Sequence, residues 1–166
     1  MNKQNKVYLL LGSNIEPRYE YIKNAEKRIG TEIGDIINSS CIYESEPIGF
    51  KAELSFLNRI LLVDSLLSAL SILDNIHVIE QELGRKRGKD GYTSRTIDID
   101  IIYFNNDIIN TDRLIVPHAR LHERRFTLLP LAEIAPKMVN PILHHTNKEL
   151  LELCQDNSEV IKYKSK

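Results

Sequence analysis

The run Ser94–Phe104, SRTIDIDIIYF, constrains the fold more than any other stretch of the chain. Residues two apart in a strand point to the same side, so Ile97, Ile99 and Ile101 share one face while Asp98 and Asp100 share the other. The isoleucine face needs a core. The aspartate face needs an environment that accepts two like charges, because carboxylates about 7 Å apart at an effective dielectric of about 20 repel by about 2 kcal/mol. A bound cation reverses that sign. Oxygen-only ligands at this spacing suit magnesium, which takes one or two carboxylates plus substrate phosphates, and the lack of soft ligands nearby argues against structural zinc. For the pair alone, an ordinary solvent-exposed strand face is an equally good account.

The neighbouring residues favour the metal reading. Arg85, Lys86, Arg87, Lys89 and Arg95 lie in the loop leading into this strand, so cations for phosphate oxygens and carboxylates for a metal converge at its mouth. Taken alone, such a loop is a solvated surface segment. Its GRKRGKD run from Gly84 superficially matches a phosphate-binding P-loop, but it has one residue too few between its glycines and Asp90 in place of Ser or Thr. It also does not open a helix. A second constellation is FLN, where Phe56 and Asn58 share a strand face and set an aromatic plate beside an amide that donates and accepts hydrogen bonds. That pair suits a flat heterocycle, although by itself a core Phe beside a turn-adjacent Asn is the better account, because such pairs are common in strands.

Apolar periodicity orders the rest. VYLLLGSN reads as a strand, followed by a helix with Ile22, Ala25 and Ile29 on one face before Gly30. DIINSSCIYESEPIG reads as a strand up to a break at Pro47 and Gly49, and SFLNRILLVDS as another from about Ser55. Between Ser68 and Leu83, the residues Ala69, Leu73, Ile76, Ile79 and Leu83 define the clearest helix, with Gly84 where a C′ residue belongs. The aspartate strand follows and turns at Asn105 and Asn106. The order βαββαβ predicts an α+β fold, an antiparallel sheet carrying both helices on one face. The last third predicts a peripheral helical addition: a short helix stopped around Pro130, a capping box at Thr146 and Glu149, and a mobile tail over about the last ten residues.

At 166 residues the chain predicts a single domain, and 42% hydrophobic with 27% charged residues is the balance of a globular protein. A net charge of -1 gives no global attraction to nucleic acid or anionic membrane, so any anion site depends on local clustering. The opening MNKQNK has no apolar h-region, and runs such as Val7–Leu11 are too short to span a bilayer, which predicts a cytoplasmic protein. Cys41 and Cys154 have no metal or redox spacing.

Collectively these segments resemble the hydroxymethyldihydropterin pyrophosphokinase family of folate biosynthesis. The resemblance is carried by LGSN from Leu11, YESEPIG from Tyr43, FLN from Phe56, IEQELGRKR from Ile79, SRTIDIDII from Ser94, VPH from Val116 and RRFTLLPLAEIAP from Arg124. It implies a ferredoxin-like α+β core, with two magnesium ions on Asp98 and Asp100 and ATP as co-substrate. It implies that Arg85, Arg87 and Arg95 contact phosphates, with Glu80, Arg113 and His118 on the ATP side. The pterin would stack between Phe56 and Phe126, with Asn58 and the backbone around Ser45, Glu46 and Ile48 reading its edge. Tyr92 would lie over the pterin site, Asp98 near the hydroxymethyl group and Arg124 close by. Arg85, Arg95, Asp98 and Asp100 are then the catalytic set.

Two departures stand out. The family writes Trp, Gly and Pro ahead of the arginine where this chain has Tyr92, Thr93 and Ser94, which changes the freedom of that loop. Ala119 stands where an aromatic is often found beside the histidine. The implied reaction is in-line attack of the pterin hydroxymethyl oxygen on the β-phosphorus of ATP, giving AMP and the pterin diphosphate, with the loops EPIGFKAEL and GRKRGKDGYTS as closing lids. Small-molecule substrates, a monomer, and no nucleic-acid or membrane partner complete the expectation. The rivals are a two-metal phosphohydrolase, and a nucleic-acid-binding module using the basic loop, against which the acidic pair argues.

Overall fold

β1 (Asn5–Ser13) is the strand on which the sheet is built, and its unbroken apolar run follows from burial on both faces. In the computed structural model, which describes residues 3–48, 51–86 and 93–165, the chain continues through α1 (Arg18–Glu32), β2 (Asp35–Ser39), β3 (Tyr43–Ser45) and β4 (Phe56–Ser65). α2 (Ala69–Glu82), β5 (Asp98–Phe104), β6 (Ile109–Asn110) and β7 (Ile115–Val116) follow. α3 (Arg125–Ile134), α4 (Asn147–Leu153) and β8 (Val160–Lys162) complete it. The main sheet runs β5-β1-β4-β3-β8, with β2 also paired to β4, and every pairing is antiparallel. β6 and β7 form a separate two-stranded ribbon. Among the described residues, no helix is long and apolar enough to cross a membrane.

Val7, Leu9 and Leu11 of β1 face a core with Leu57, Leu61 and Val63 of β4 and Ile97, Ile99 and Ile101, covered by Ile22, Ala25 and Ile29 of α1 and Ile72, Ile76 and Ile79 of α2. Both central helices thus lie on one face, as the order of elements predicts. Tyr8 and Leu10 face the other way, into a second core with Ile60, Ile102, Tyr103, Leu128, Leu131 and Leu150. A register shift between Tyr8 and Leu9 lets Ile102 and Tyr103 both join this second core, although they are adjacent in sequence.

Four expectations are corrected. The last third is a covering layer rather than a peripheral addition, because α3 and α4 bury leucines on the sheet's second face. Pro130 does not stop its helix: it is the sixth residue of α3, and the lost hydrogen bond is tolerated where Thr127, Leu128, Pro130 and Leu131 are all buried. The run from Asp35 to Ser45 is two strands, split where Ser40 turns inward and its Oγ accepts from the Ile60 N–H at 3.0 Å. Finally, the expected tail contains β8, whose pairing with β3 gives its backbone groups partners.

The caps match the sequence closely. Ser68 Oγ accepts from the Ser71 N–H at 3.2 Å, and Thr146 with Glu149 forms the reciprocal capping box. At the end of α2, Gly84 has φ +86, its N–H donates to Gln81 O at 3.1 Å, and the Arg85 N–H donates to Glu80 O at 3.0 Å. This Schellman turn requires the left-handed conformation that glycine adopts freely. Gly84→Ala should therefore lower stability by about 1 kcal/mol in urea unfolding. An unchanged midpoint would contradict the strain.

Candidate active site

Asp98 pairs across to Gly12 of β1 and Asp100 to Leu10, while Ile99 points into the first core. The alternation thus delivers both carboxylates to the face covered by α3. The Schellman turn then bends the chain so that Arg85 Nη1 reaches Glu80 Oε1 at 2.6 Å and Asp98 Oδ1 at 2.7 Å. Arg95 Nη1 donates to Asp98 Oδ2 at 2.7 Å. Each oxygen of Asp98 therefore has its own guanidinium.

Arg95 is held in turn by Asn14, which is 3% exposed. The Asn14 Oδ1 accepts from the Arg95 N–H at 2.7 Å, its Nδ2 donates to Ser94 Oγ at 3.1 Å, and its own N–H donates to Arg95 O at 3.1 Å. The end of β1 thus locks the segment entering β5. Glu80 is buried, and its Oε1 also accepts from the Ile99 N–H at 2.9 Å. Burial pushes its carboxyl up, opposed by that hydrogen bond and by Arg85.

Two clefts open on either side of the aspartates. An aromatic one is lined by Ser45, Glu46, Ile48, Phe56, Asn58 and Phe126, with Leu10 and Gly12 also in its wall. Asn58 Nδ2 donates to Ser45 Oγ at 2.7 Å, which fixes the amide. A Cβ on Gly12 would meet Asn58 Oδ1 at 3.5 Å and Phe56 Cδ1 at 3.8 Å, so a larger side chain there would grow into this space. Arg124 lies over the Phe126 ring at 5.7 Å and Arg95 over Phe56 at 5.9 Å.

The second, wider groove is lined by Glu80, Arg85, Lys86, Arg113, His118 and Arg120, among others. Arg113 pairs with Asp74 of α2. His118 Nδ1 accepts from the Arg120 N–H at 3.2 Å, and burial together with Arg124 lowers the ring's pKa. Arg95, Asp98, Asp100 and Arg124 line both clefts. They form the common wall.

Asp100 opens onto the clefts but is otherwise surrounded by protein. Desolvation, with the charges of Asp98 and Glu80, pushes its carboxyl up to about 7, against the pull of Arg124 and Arg85. Among the described residues, no group of three or more His, Cys, Asp or Glu side chains is placed to hold a metal. Two carboxylates opening onto a cationic groove do fit magnesium, which shares its shell with water and phosphate rather than demanding an all-protein cage.

The structure brings together Ser45, Glu46, Ile48, Phe56, Asn58, Glu80, Arg85, Arg95, Asp98, Asp100, Arg113, His118 and Phe126 around these two clefts. Arg87, Lys89 and Tyr92, with much of the basic lid, lie outside the described residues, as do Gly49 and Phe50 of the other lid. Sequence reasoning missed Asn14 and Gly12. Their signal was present in LGSN, a polar end to an otherwise buried strand.

The family model for 7,8-dihydro-6-hydroxymethylpterin-pyrophosphokinase matches residues 8–136. The 2-amino-4-hydroxy-6-hydroxymethyldihydropteridine pyrophosphokinase of Bacillus subtilis is 38% identical over 135 residues, spanning 81% of this chain and 80% of that protein. The Aquifex aeolicus protein of the same name is 38% identical over 143 residues, spanning 86% and 88%. The folic acid synthesis protein of Dictyostelium discoideum is 40% identical over 147 residues, but this chain spans only 22% of its length. For that of Pneumocystis carinii the share is 18%. Among solved structures, wild-type Plasmodium falciparum HPPK-DHPS with pteroate superposes with a TM-score of 0.74 at 19% identity, over 92% of this chain and 43% of that one. That likeness concerns the fold. With the family model covering residues 8–136 and relatives matched over most of their length, the chain belongs to the 7,8-dihydro-6-hydroxymethylpterin-pyrophosphokinase family.

Proposed function

We propose that this chain transfers a pyrophosphoryl group from ATP to the hydroxymethyl group of 6-hydroxymethyl-7,8-dihydropterin, releasing AMP and the pterin diphosphate. One observation carries the reading: an aromatic cleft and a cationic groove share a wall made of Arg95, Asp98, Asp100 and Arg124. A flat heterocycle on one side and a triphosphate on the other would meet at the carboxylates. A phosphohydrolase has no need of the aromatic cleft.

In this reading Phe56 and Phe126 stack the pterin, while Asn58 and the backbone from Ser45 to Ile48 read its edge. Glu80, Arg85, Arg87, Arg95, Arg113 and His118 hold the nucleotide, and Tyr92 covers the pterin. Asp98 and Asp100 would hold two magnesium ions, whose contribution when bound is charge neutralisation on the triphosphate. The pterin oxygen forms a bond to the β-phosphorus as the bond from that phosphorus to the α,β-bridging oxygen breaks, AMP departs with its electrons, and the hydroxymethyl proton is lost to solvent water. The residues' work is alignment and stabilisation of the transferring group, chiefly by Arg85 and Arg95, with no dedicated base. The β5-β1-β4-β3 order with two crossover helices supports a ferredoxin-like core with a C-terminal helical layer. We take the chain as one domain acting as a cytoplasmic monomer on small molecules, without nucleic-acid or membrane partners.

Incubation with ATP, magnesium and hydroxymethyldihydropterin should give AMP only when pterin is present. ADP, or pterin-independent release, would refute pyrophosphoryl transfer.

Asp100 adds a pH test. Its folded pKa of about 7 lies above the unfolded value, so ionisation costs stability, increasingly from about pH 4 to pH 7 and fully above it. Asp100→Asn should raise ligand-free stability at pH 8 by about 1–3 kcal/mol, several degrees in Tm, and leave it unchanged below pH 4. A variant no more stable at pH 8 would contradict the electrostatics assigned to the site.

A further inference from the structure

Arg18 opens α1, and its side chain is 11% exposed. It lies behind the aromatic cleft rather than in it: Ser45 of β3 lines that cleft, and its neighbour Glu44, which Arg18 contacts, points to the opposite side of the strand. Arg18 Nη1 donates to Glu44 Oε2 at 2.6 Å and to the Ser55 carbonyl at 2.9 Å, and its Nε donates to Glu16 Oε1 at 3.0 Å. Glu44 directly precedes Ser45, and Ser55 directly precedes Phe56. The Ser45 and Phe56 pair closes the segment 46–55. One guanidinium therefore ties together both stems of the segment that carries Glu46 and Ile48 into the cleft.

That guanidinium is seated by the C-terminal strand. It lies 5.8 Å over the Tyr163 ring, which stacks on Tyr19 with centroids 6.4 Å apart. The Tyr163 N–H donates to Ile42 O at 2.8 Å, just beyond β8, and β8 pairs with β3. Residues 160–163 lie outside the stretch matched by the family model. None of this cluster lines the cationic groove.

We propose that Arg18 is a positioning residue for the aromatic cleft, with Tyr163 as its seat. By fixing both stems from behind the sheet, it sets the affinity for the pterin without touching it. A loosened stem must be ordered when the ligand binds, and that entropy is subtracted from affinity. The inference rests on the reading of this cleft as the pterin site.

Steady-state kinetics on the full chain test it. Arg18→Met should raise the pterin KM about tenfold while the ATP KM and kcat stay within about twofold, because only one compartment is loosened. Tyr163→Leu and Glu44→Gln should shift the same constant in the same direction. Arg18→Met with Glu44→Gln should cost less than the product of the single effects, since both break one contact. If Arg18→Met does not fold, the other two single variants carry the test. An unchanged pterin KM, or an equal rise in both KM values, would overturn the clamp. A wild-type chain lacking pterin-dependent turnover would instead refute the cleft assignment on which the clamp depends.

Discussion

The structure depends on the repulsion between two carboxylates on one face of β5. A strand that buries Ile99 and Ile101 must send Asp98 and Asp100 the other way, and the surrounding residues manage the resulting charge. Asp98 is neutralised oxygen by oxygen by Arg85 and Arg95. Burial, with the charges of Asp98 and Glu80 beside it, pushes the Asp100 carboxyl up. A cation arriving with a triphosphate would relieve that charge and free the two arginines for phosphate oxygens.

The rest of the fold serves this arrangement from several directions. The Schellman turn at Gly84 aims Arg85, and Asn14 at the end of β1 fixes Arg95, so two separate chain reversals converge on Asp98. Buried Glu80 links the end of α2 to β5 through Arg85 and the Ile99 N–H. α3 brings Phe126, packed against the second core, into the cleft that Phe56 of β4 also lines, and Arg124, just before the helix, stands in the wall between the clefts. The second core therefore supports part of the aromatic cleft's lining.

Much of this was legible in the sequence because the relevant signals are local. The isoleucine and aspartate alternation, the Ser68 and Gly84 caps and the Thr146 and Glu149 box each specify backbone geometry within a few residues. What was missed depends on distant partners. Pro130 looked like a stop, but burial of its helix outweighs one lost hydrogen bond. β8 is a three-residue strand whose existence depends on β3, more than a hundred positions away, and no periodicity is visible at that length. Asn14 likewise reads as an ordinary turn residue until Arg95 is placed beside it. The family resemblance pointed to residues that spacing alone left ambiguous, such as His118 and Phe126, which line the two clefts, but it did not supply the clamp behind the aromatic one.

The central claim is that Asp98 and Asp100 form a metal platform completed by the nucleotide. Isothermal titration of magnesium into the chain with an unreactive ATP analogue tests it most directly, with Asp98→Asn and Asp100→Asn alongside. The account predicts two ions bound per wild-type chain in the presence of the analogue, affinity that weakens as pH falls below about 7, and loss of binding in each variant. Undiminished magnesium binding in both variants would contradict it.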